Sequence, residues 1–123
     1  NRLVRYIIYA IENKMRNSSY HFDNDSGTIE HILPENPSDD WNKDFVKDTQ
    51  LEFIFRLGNY SILEKKLNRE CENKSIEHKI PLFQKSKYLL TKEFEYPDWN
   101  PNRLKHRQSK MAKSAKQIWR LDY

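Results

Sequence analysis

Residues 28–34, TIEHILP, decide the fold, because they place an acid and a histidine side by side near the end of a short strand-like run. Residues 23–27, DNDSG, are typical of a turn, and the proline that follows the run ends it. Neighbouring strand side chains point to opposite faces, so Glu30 and His31 can take different roles. Alone, the pair favours a surface acid beside a partly buried histidine, and Glu77-His78 is a second example.

A second strand and a helix follow this run. Gly58 interrupts the preceding helical pattern, and residues 60–63, YSIL, form the second short strand. Residues 38–56 between the strands indicate one or two inserted helices, and a charged segment of good helix formers comes after the second strand. The sequence therefore predicts a core of strand, strand and helix over residues 28–73.

Helices flank this core on both sides. Apolar residues in 1–19 recur with the period of an amphipathic helix. Residues 78–120 contain two more helical stretches, one over 81–90 and a last one that begins at Pro101. We predict a mainly helical α+β domain with a short two-stranded antiparallel hairpin, extending over residues 1–123 as one unit.

The last helix is expected to bury its apolar face and to leave Arg107 and Arg120 for solvent or a ligand. Trp41, Trp99 and Trp119 are interpreted as core residues, because aromatic side chains among aliphatic helix positions are more often packed than free to stack on bases. The remaining histidines have no spacing that suggests a metal site and are interpreted as surface or core residues: His21, His78 and His106.

Composition narrows the class of protein. The 123 residues include 22 Lys and Arg against 18 Asp and Glu, and the excess lies mostly in residues 103–120, which suits either a polyanion or a plain solvated helix face. Cys71 is the only cysteine, so the chain has neither an intrachain disulfide nor a CxxC zinc site, which favours a reducing compartment. With no apolar run of membrane-spanning length, no signal-peptide pattern and no initiator Met, we expect a part of a longer cytoplasmic protein.

Three motifs in a fixed order resemble a known family. They are IEHILP at residues 29–34, LGNYSIL at residues 57–63, and Leu67-Asn68. The chain resembles the C-terminal nuclease domain of GmrSD-type modification-dependent (type IV) restriction endonucleases, which has an acid-His-Ile-Leu-Pro run, a Gly-Asn-Leu-Thr-Leu-Leu-like strand and a helix with Asn. Here Tyr60-Ser61 replaces the usual Leu-Thr.

The resemblance covers nearly the whole chain, with later features matched by Lys79, Trp99, Arg107 and Ile118-Trp119. The same order is similar to the HNH domain of RNA-guided CRISPR nucleases, in which an Asp-His-Ile-Val-Pro run occupies the first strand. Asn59 and Asn68 keep the spacing of the two asparagines in those domains. Glu30 in place of their Asp affects the distance to a metal but keeps the carboxylate. The fold implied is the ββα-metal (HNH, His-Me finger) core.

The resemblance also implies a role for each motif residue. His31 would be the general base, since an imidazole titrates near neutrality. Glu30 and Asn68 would hold a single Mg²⁺ or Mn²⁺ through oxygen donors. Asn59 would support the loop that carries His31. Two cations, Lys79 and Arg107, either bind substrate phosphates or are solvated charges.

The implied activity is divalent-metal-dependent hydrolysis of DNA phosphodiester bonds, by nicking or cutting, in the restriction of modified phage DNA. Its partners would be DNA and an N-terminal nucleotide-hydrolysing, modification-sensing domain in the same or a partner chain, with no membrane association. Three alternatives stay open. They are a catalytically silent nucleic-acid-binding module of the same fold, an RNA-cleaving nuclease, and a helical module that contacts partner proteins.

Overall fold

The computed structural model describes residues 1–119 and confirms a mainly helical α+β fold with a two-stranded antiparallel sheet in this range. Arg120, predicted near the end of the last helix, lies outside the described residues. No helix in residues 1–119 is long and apolar enough to cross a membrane. The regular elements are α1 (Arg2–Arg16), β1 (Thr28–His31), α2 (Gln50–Ile54), β2 (Tyr60–Leu63), α3 (Lys65–Cys71), α4 (Ile76–Phe83), α5 (Leu89–Lys92) and α6 (Pro101–Ile118), with 3₁₀ turns at Asp39–Trp41, Lys47–Thr49 and Leu57–Asn59.

The hairpin of β1 and β2 lies between two hydrophobic clusters. Its register sets Glu30 opposite Ser61 and His31 opposite Tyr60. Because side chains alternate along a strand, this register sends Glu30 and His31 to opposite faces of the sheet. The first cluster packs α2, α3, α4 and the start of α6, and the second packs α1, α5 and the middle of α6.

Helix α1 is fixed at both its start and its buried face. The side-chain oxygen of Asn1 accepts hydrogen bonds from the first free amides of the helix, as an N-cap does. Further along, the buried carboxylate of Glu12 accepts hydrogen bonds from the amides of Leu89 and Leu90 at 2.8 and 2.7 Å. Since these amides are the unpaired donors that begin α5, Glu12 positions that short helix against α1.

The predicted helical stretch over residues 81–90 is wrong in its bounds, because the structure has two shorter helices there, α4 and α5. Helix α4 begins at Ile76, after Ser75, and carries Pro81 inside rather than at its first turn. Proline has no N–H for the helical hydrogen-bond ladder, and the helix ends two residues later, at Phe83. A new helix, α5, starts only at Leu89.

Two predictions for α6 and the residue after it were wrong. Arg107 lies on the buried inner face, with Leu104 and Met111 on either side of it along the helix, instead of facing solvent. Trp119 is 38% exposed and contacts the Tyr6 ring at the surface. It comes after the last residue of α6, Ile118, and therefore does not lie on the buried face of that helix. Of the three tryptophans, Trp41 and Trp99 are buried as predicted.

Gly58 marks a close approach between the turn before β2 and helix α6. A Cβ at this position would lie 2.5 Å from the main-chain oxygen of Leu104 and 2.7 Å from Cβ of Gln108. We expect Gly58→Ala to lower the free energy of unfolding by about 1–3 kcal/mol, because α6 has to move outwards to admit the methyl group. Urea unfolding measures the change, with Ser109→Ala on the exposed face of α6 as the control. Equal stabilities would show that the turn accommodates a side chain.

Candidate active site

A cleft of about 490 Å³ opens at the end of β1 and brings Glu30, His31 and Asn68 together. The strand end supplies the first two residues and α3 supplies the third, because α3 packs against β1 after the hairpin. The other residues that line the cleft are Ile29, Pro34, Glu35, Asn36, Glu72 and Asn73. The predicted base and the predicted metal ligands therefore share one cleft, whereas Asn59, Lys79 and Arg107 do not line it.

The imidazole of His31 is held between aromatic rings. Its side chain is 19% exposed, and its ring meets those of Tyr60 and Phe55 edge to face, with centroids 5.0 and 5.9 Å away. Atom Nδ1 lies 3.6 Å from Oε1 of Glu35. Burial lowers the pKa of His31 below its usual value, and the nearby Glu35 carboxylate opposes this effect. A lowered pKa keeps the imidazole neutral, and thus able to accept a proton, at neutral pH.

Glu30 is a buried carboxylate paired with a buried lysine. It is 3% exposed, and its Oε2 lies 3.1 Å from Nζ of Lys79. The distance is that of an ion pair, but the angles do not suit a hydrogen bond. Within residues 1–119, Oε2 therefore has no hydrogen-bond donor in suitable geometry. Burial raises the pKa of the Glu30 carboxyl, and the charge of Lys79 counters that rise.

Asn68 is oriented by the strand it packs against. Its Nδ2 donates hydrogen bonds to Oγ1 of Thr28 at 2.8 Å and to the main-chain oxygen of Ile29 at 3.2 Å. Both donor hydrogens of the amide are used by β1, so the acceptor oxygen Oδ1 is the atom left to bind a ligand in the cleft.

Asn59 is completely buried and makes four hydrogen bonds within the protein. Its Oδ1 accepts from the amide of Leu33 at 2.8 Å and from Nε1 of Trp99 at 3.1 Å. Its Nδ2 donates to the main-chain oxygens of Leu33 and Ile54, both at 2.9 Å. Asn59 thus joins the segment after His31 to the end of α2 and to Trp99.

Arg107 is buried and bonded to the protein's own oxygens. Its Nη1 donates to the main-chain oxygens of Gly58 and Tyr60 at 2.8 and 2.6 Å, and its Nη2 donates to Oγ of Ser61 at 3.1 Å. Burial lowers its pKa to about 10, so it stays charged at neutral pH. Lys79 is likewise buried. Both cations are buried and neither lines the cleft, so phosphate binding by Lys79 and Arg107 stays a prediction.

The donors in the cleft fit a divalent cation. No group of three or more His, Cys, Asp or Glu within residues 1–119 could hold a metal ion, so a bound ion would depend on the Glu30 carboxylate, the Asn68 amide oxygen and water. Such a set of oxygen donors with several waters suits Mg²⁺ or Mn²⁺. The acidic lining, which Glu35 and Glu72 complete, agrees with a cation at this place.

Comparison with known proteins supports the resemblance. The family model described as GmrSD restriction endonucleases, C-terminal domain, matches residues 1–114. The match contains every residue that lines the cleft and all elements from α1 to α5, together with most of α6. A search of the curated proteins finds no match.

Proposed function

We propose that this chain, which belongs to the family of C-terminal domains of GmrSD restriction endonucleases, is an HNH-type endonuclease that hydrolyses DNA phosphodiester bonds with one divalent ion. The observation that carries the proposal is the single cleft shared by Glu30, His31 and Asn68. A base and two oxygen ligands in one place are the groups that metal-assisted hydrolysis requires.

The negative charge of the cleft is the reason why we expect DNA cleavage to need a metal ion. Glu35 and Glu72 line the cleft beside Glu30, whose charge is offset by the buried Lys79, and its lining within residues 1–119 contains no lysine or arginine. A phosphodiester is an anion, and the carboxylates of Glu35 and Glu72 repel it. Mg²⁺ or Mn²⁺ held by Glu30 and Asn68 would neutralise this charge and polarise the phosphate.

His31 supplies the proton transfer. The Glu35 carboxylate near Nδ1 favours a proton on that nitrogen, which leaves the lone pair on Nε2. Nε2 takes a proton from water, the water oxygen forms a bond to phosphorus, and a bridging phosphorus–oxygen bond breaks. The departing oxygen is protonated by solvent. Asn59, through its bonds to Leu33, holds the segment next to His31 in place during this step.

The family supports a proposal for the substrate and the partners. The family's name refers to restriction endonucleases, and we assign to this chain the cutting or nicking of modified phage DNA. An N-terminal nucleotide-hydrolysing domain, in the same or a partner chain, would select the modified DNA. Phosphate contacts alone carry no sequence information, so selectivity has to come from such a domain.

Supercoiled-plasmid cleavage tests the proposal. The purified chain with Mg²⁺ or Mn²⁺ is expected to convert supercoiled DNA to the nicked or linear form, and excess EDTA is expected to stop the conversion. Replacing Glu30 by Gln keeps the shape of the side chain and removes its charge, and should abolish the metal response. Cleavage that continues undiminished in EDTA would refute metal dependence.

A silent nucleic-acid-binding module is the second candidate, and one observation favours it. Lys79 already neutralises Glu30, so the carboxylate has a cation partner without any metal. This candidate predicts DNA binding by the chain without cleavage under any metal condition. A mobility-shift assay run beside the plasmid assay separates the two functions, and an RNA substrate in the same assay tests the third.

A further inference from the structure

The ammonium group of Lys79 lies inside the protein, directly beneath the end of β1. It has no solvent exposure, and its Nζ lies 2.9 Å from the main-chain oxygens of both His31 and Ile32. The ring of Trp41 covers the same nitrogen, with its centroid 5.8 Å away. Lysines are almost never fully buried without a partner charge, so a carboxylate is expected close to Nζ.

The partner charge is Glu30. Within residues 1–119, the carboxylate of Glu30 is the one that lies within ion-pair distance of Lys79, with 3.1 Å between Oε2 and Nζ. Since Oε2 is buried and turned towards Lys79, Oε1 is the oxygen with which Glu30 can reach the cleft that it lines. One ammonium group therefore contacts both the side chain of the proposed metal ligand and the main chain of the proposed base.

We propose that Lys79 is a positioning residue of the metal centre, which holds Glu30 with Oε1 towards the cation and fixes the main chain of His31 at the same time. This inference rests on the proposed function. The two hydrogen bonds occupy two of the three ammonium hydrogens, and the charge faces the carboxylate. Groups that orient metal ligands from behind in this way set both the affinity for the ion and the geometry of the site.

Mn²⁺ binding to the purified chain, followed by calorimetry or by the electron paramagnetic resonance of the free ion, tests the inference without any cleavage assay. We expect Lys79→Met to raise the dissociation constant for Mn²⁺ by about 10–100-fold. Lys85→Met removes an exposed lysine just after α4 and serves as the matched control, with unchanged affinity. Lys79→Gln, which keeps an amide donor for the carbonyls, is the second variant in case Lys79→Met does not fold.

The outcomes separate the inference from the function it rests on. Unchanged Mn²⁺ affinity in a folded Lys79 variant, even one of lowered melting temperature, would leave Lys79 a purely structural residue and overturn the inference while the nuclease stands. Tighter binding would overturn it too, because Lys79 would then compete with the ion. If wild-type binding does not depend on Glu30, as judged by Glu30→Gln, both the metal centre and the role of Lys79 are refuted.

Discussion

His31→Ala is expected to lower the rate of DNA cleavage by a factor of about 10²–10⁴, the usual contribution of a general base. Among the residues of 1–119 that line the cleft, His31 carries the one imidazole, and the variant loses this proposed proton acceptor. Binding of DNA and of Mn²⁺ should persist, because neither Glu30 nor Asn68 bonds to the His31 ring in the structure. Plasmid cleavage under single-turnover conditions measures the change in rate.

A matched control comes from the second Glu-His pair of the sequence. His78 is exposed on α4, away from the cleft, and His78→Ala should cleave at the wild-type rate. Cleavage by His31→Ala within a few-fold of wild type would remove His31 from the mechanism. Equal losses in both variants would point to a general effect on the fold.

Asn59→Ala is expected to lower the free energy of unfolding by at least about 3 kcal/mol, because each buried polar group left without a partner costs about 1–3 kcal/mol. The substitution leaves the amide and carbonyl of Leu33, the carbonyl of Ile54 and Nε1 of Trp99 unpaired. For a domain whose total stability is of the order of 5–15 kcal/mol, such a loss is large.

Chemical unfolding of Asn59→Ala measures this loss, and Asn36→Ala is its control. Asn36 also lines the cleft but is exposed, so its removal should change stability by no more than about 0.5 kcal/mol. Below its unfolding temperature the Asn59 variant should also cleave more slowly, since the segment that follows His31 is released. A variant as stable as wild type would contradict the bracing role.

The hairpin could be predicted because local chemistry and tertiary packing agree there. Turn residues precede β1, a proline follows it, and the uniformly buried β2 reads as a continuous YSIL run. The association of Glu30 and His31 with Asn68 came from the resemblance, because no local rule states that α3 folds back on β1. That contact is long-range, and single-sequence patterns do not contain it.

The buried cations could not be predicted by rules that place charges at the surface. Both follow the same spacing: Lys79 lies between Ile76 and Phe83 on the inner face of α4, as Arg107 does between Leu104 and Met111 on α6. The helical period at three and four residues was therefore the available signal. This spacing does not predict the hydrogen-bond partners of the two cations. Each cation donates to main-chain oxygens near the hairpin, and only the folded chain brings those oxygens to it.

The sole cysteine of the chain gives the site a natural chemical reporter. Cys71 ends α3 with no solvent exposure, and burial, together with the nearby Glu30 carboxylate, raises the pKa of its thiol to about 12. Alkylating reagents attack the thiolate, so the closed protein resists them and modification proceeds through opening of α3 from the hairpin. The alkylation rate would then measure that opening, and we expect an ion or DNA bound in the cleft to lower this rate.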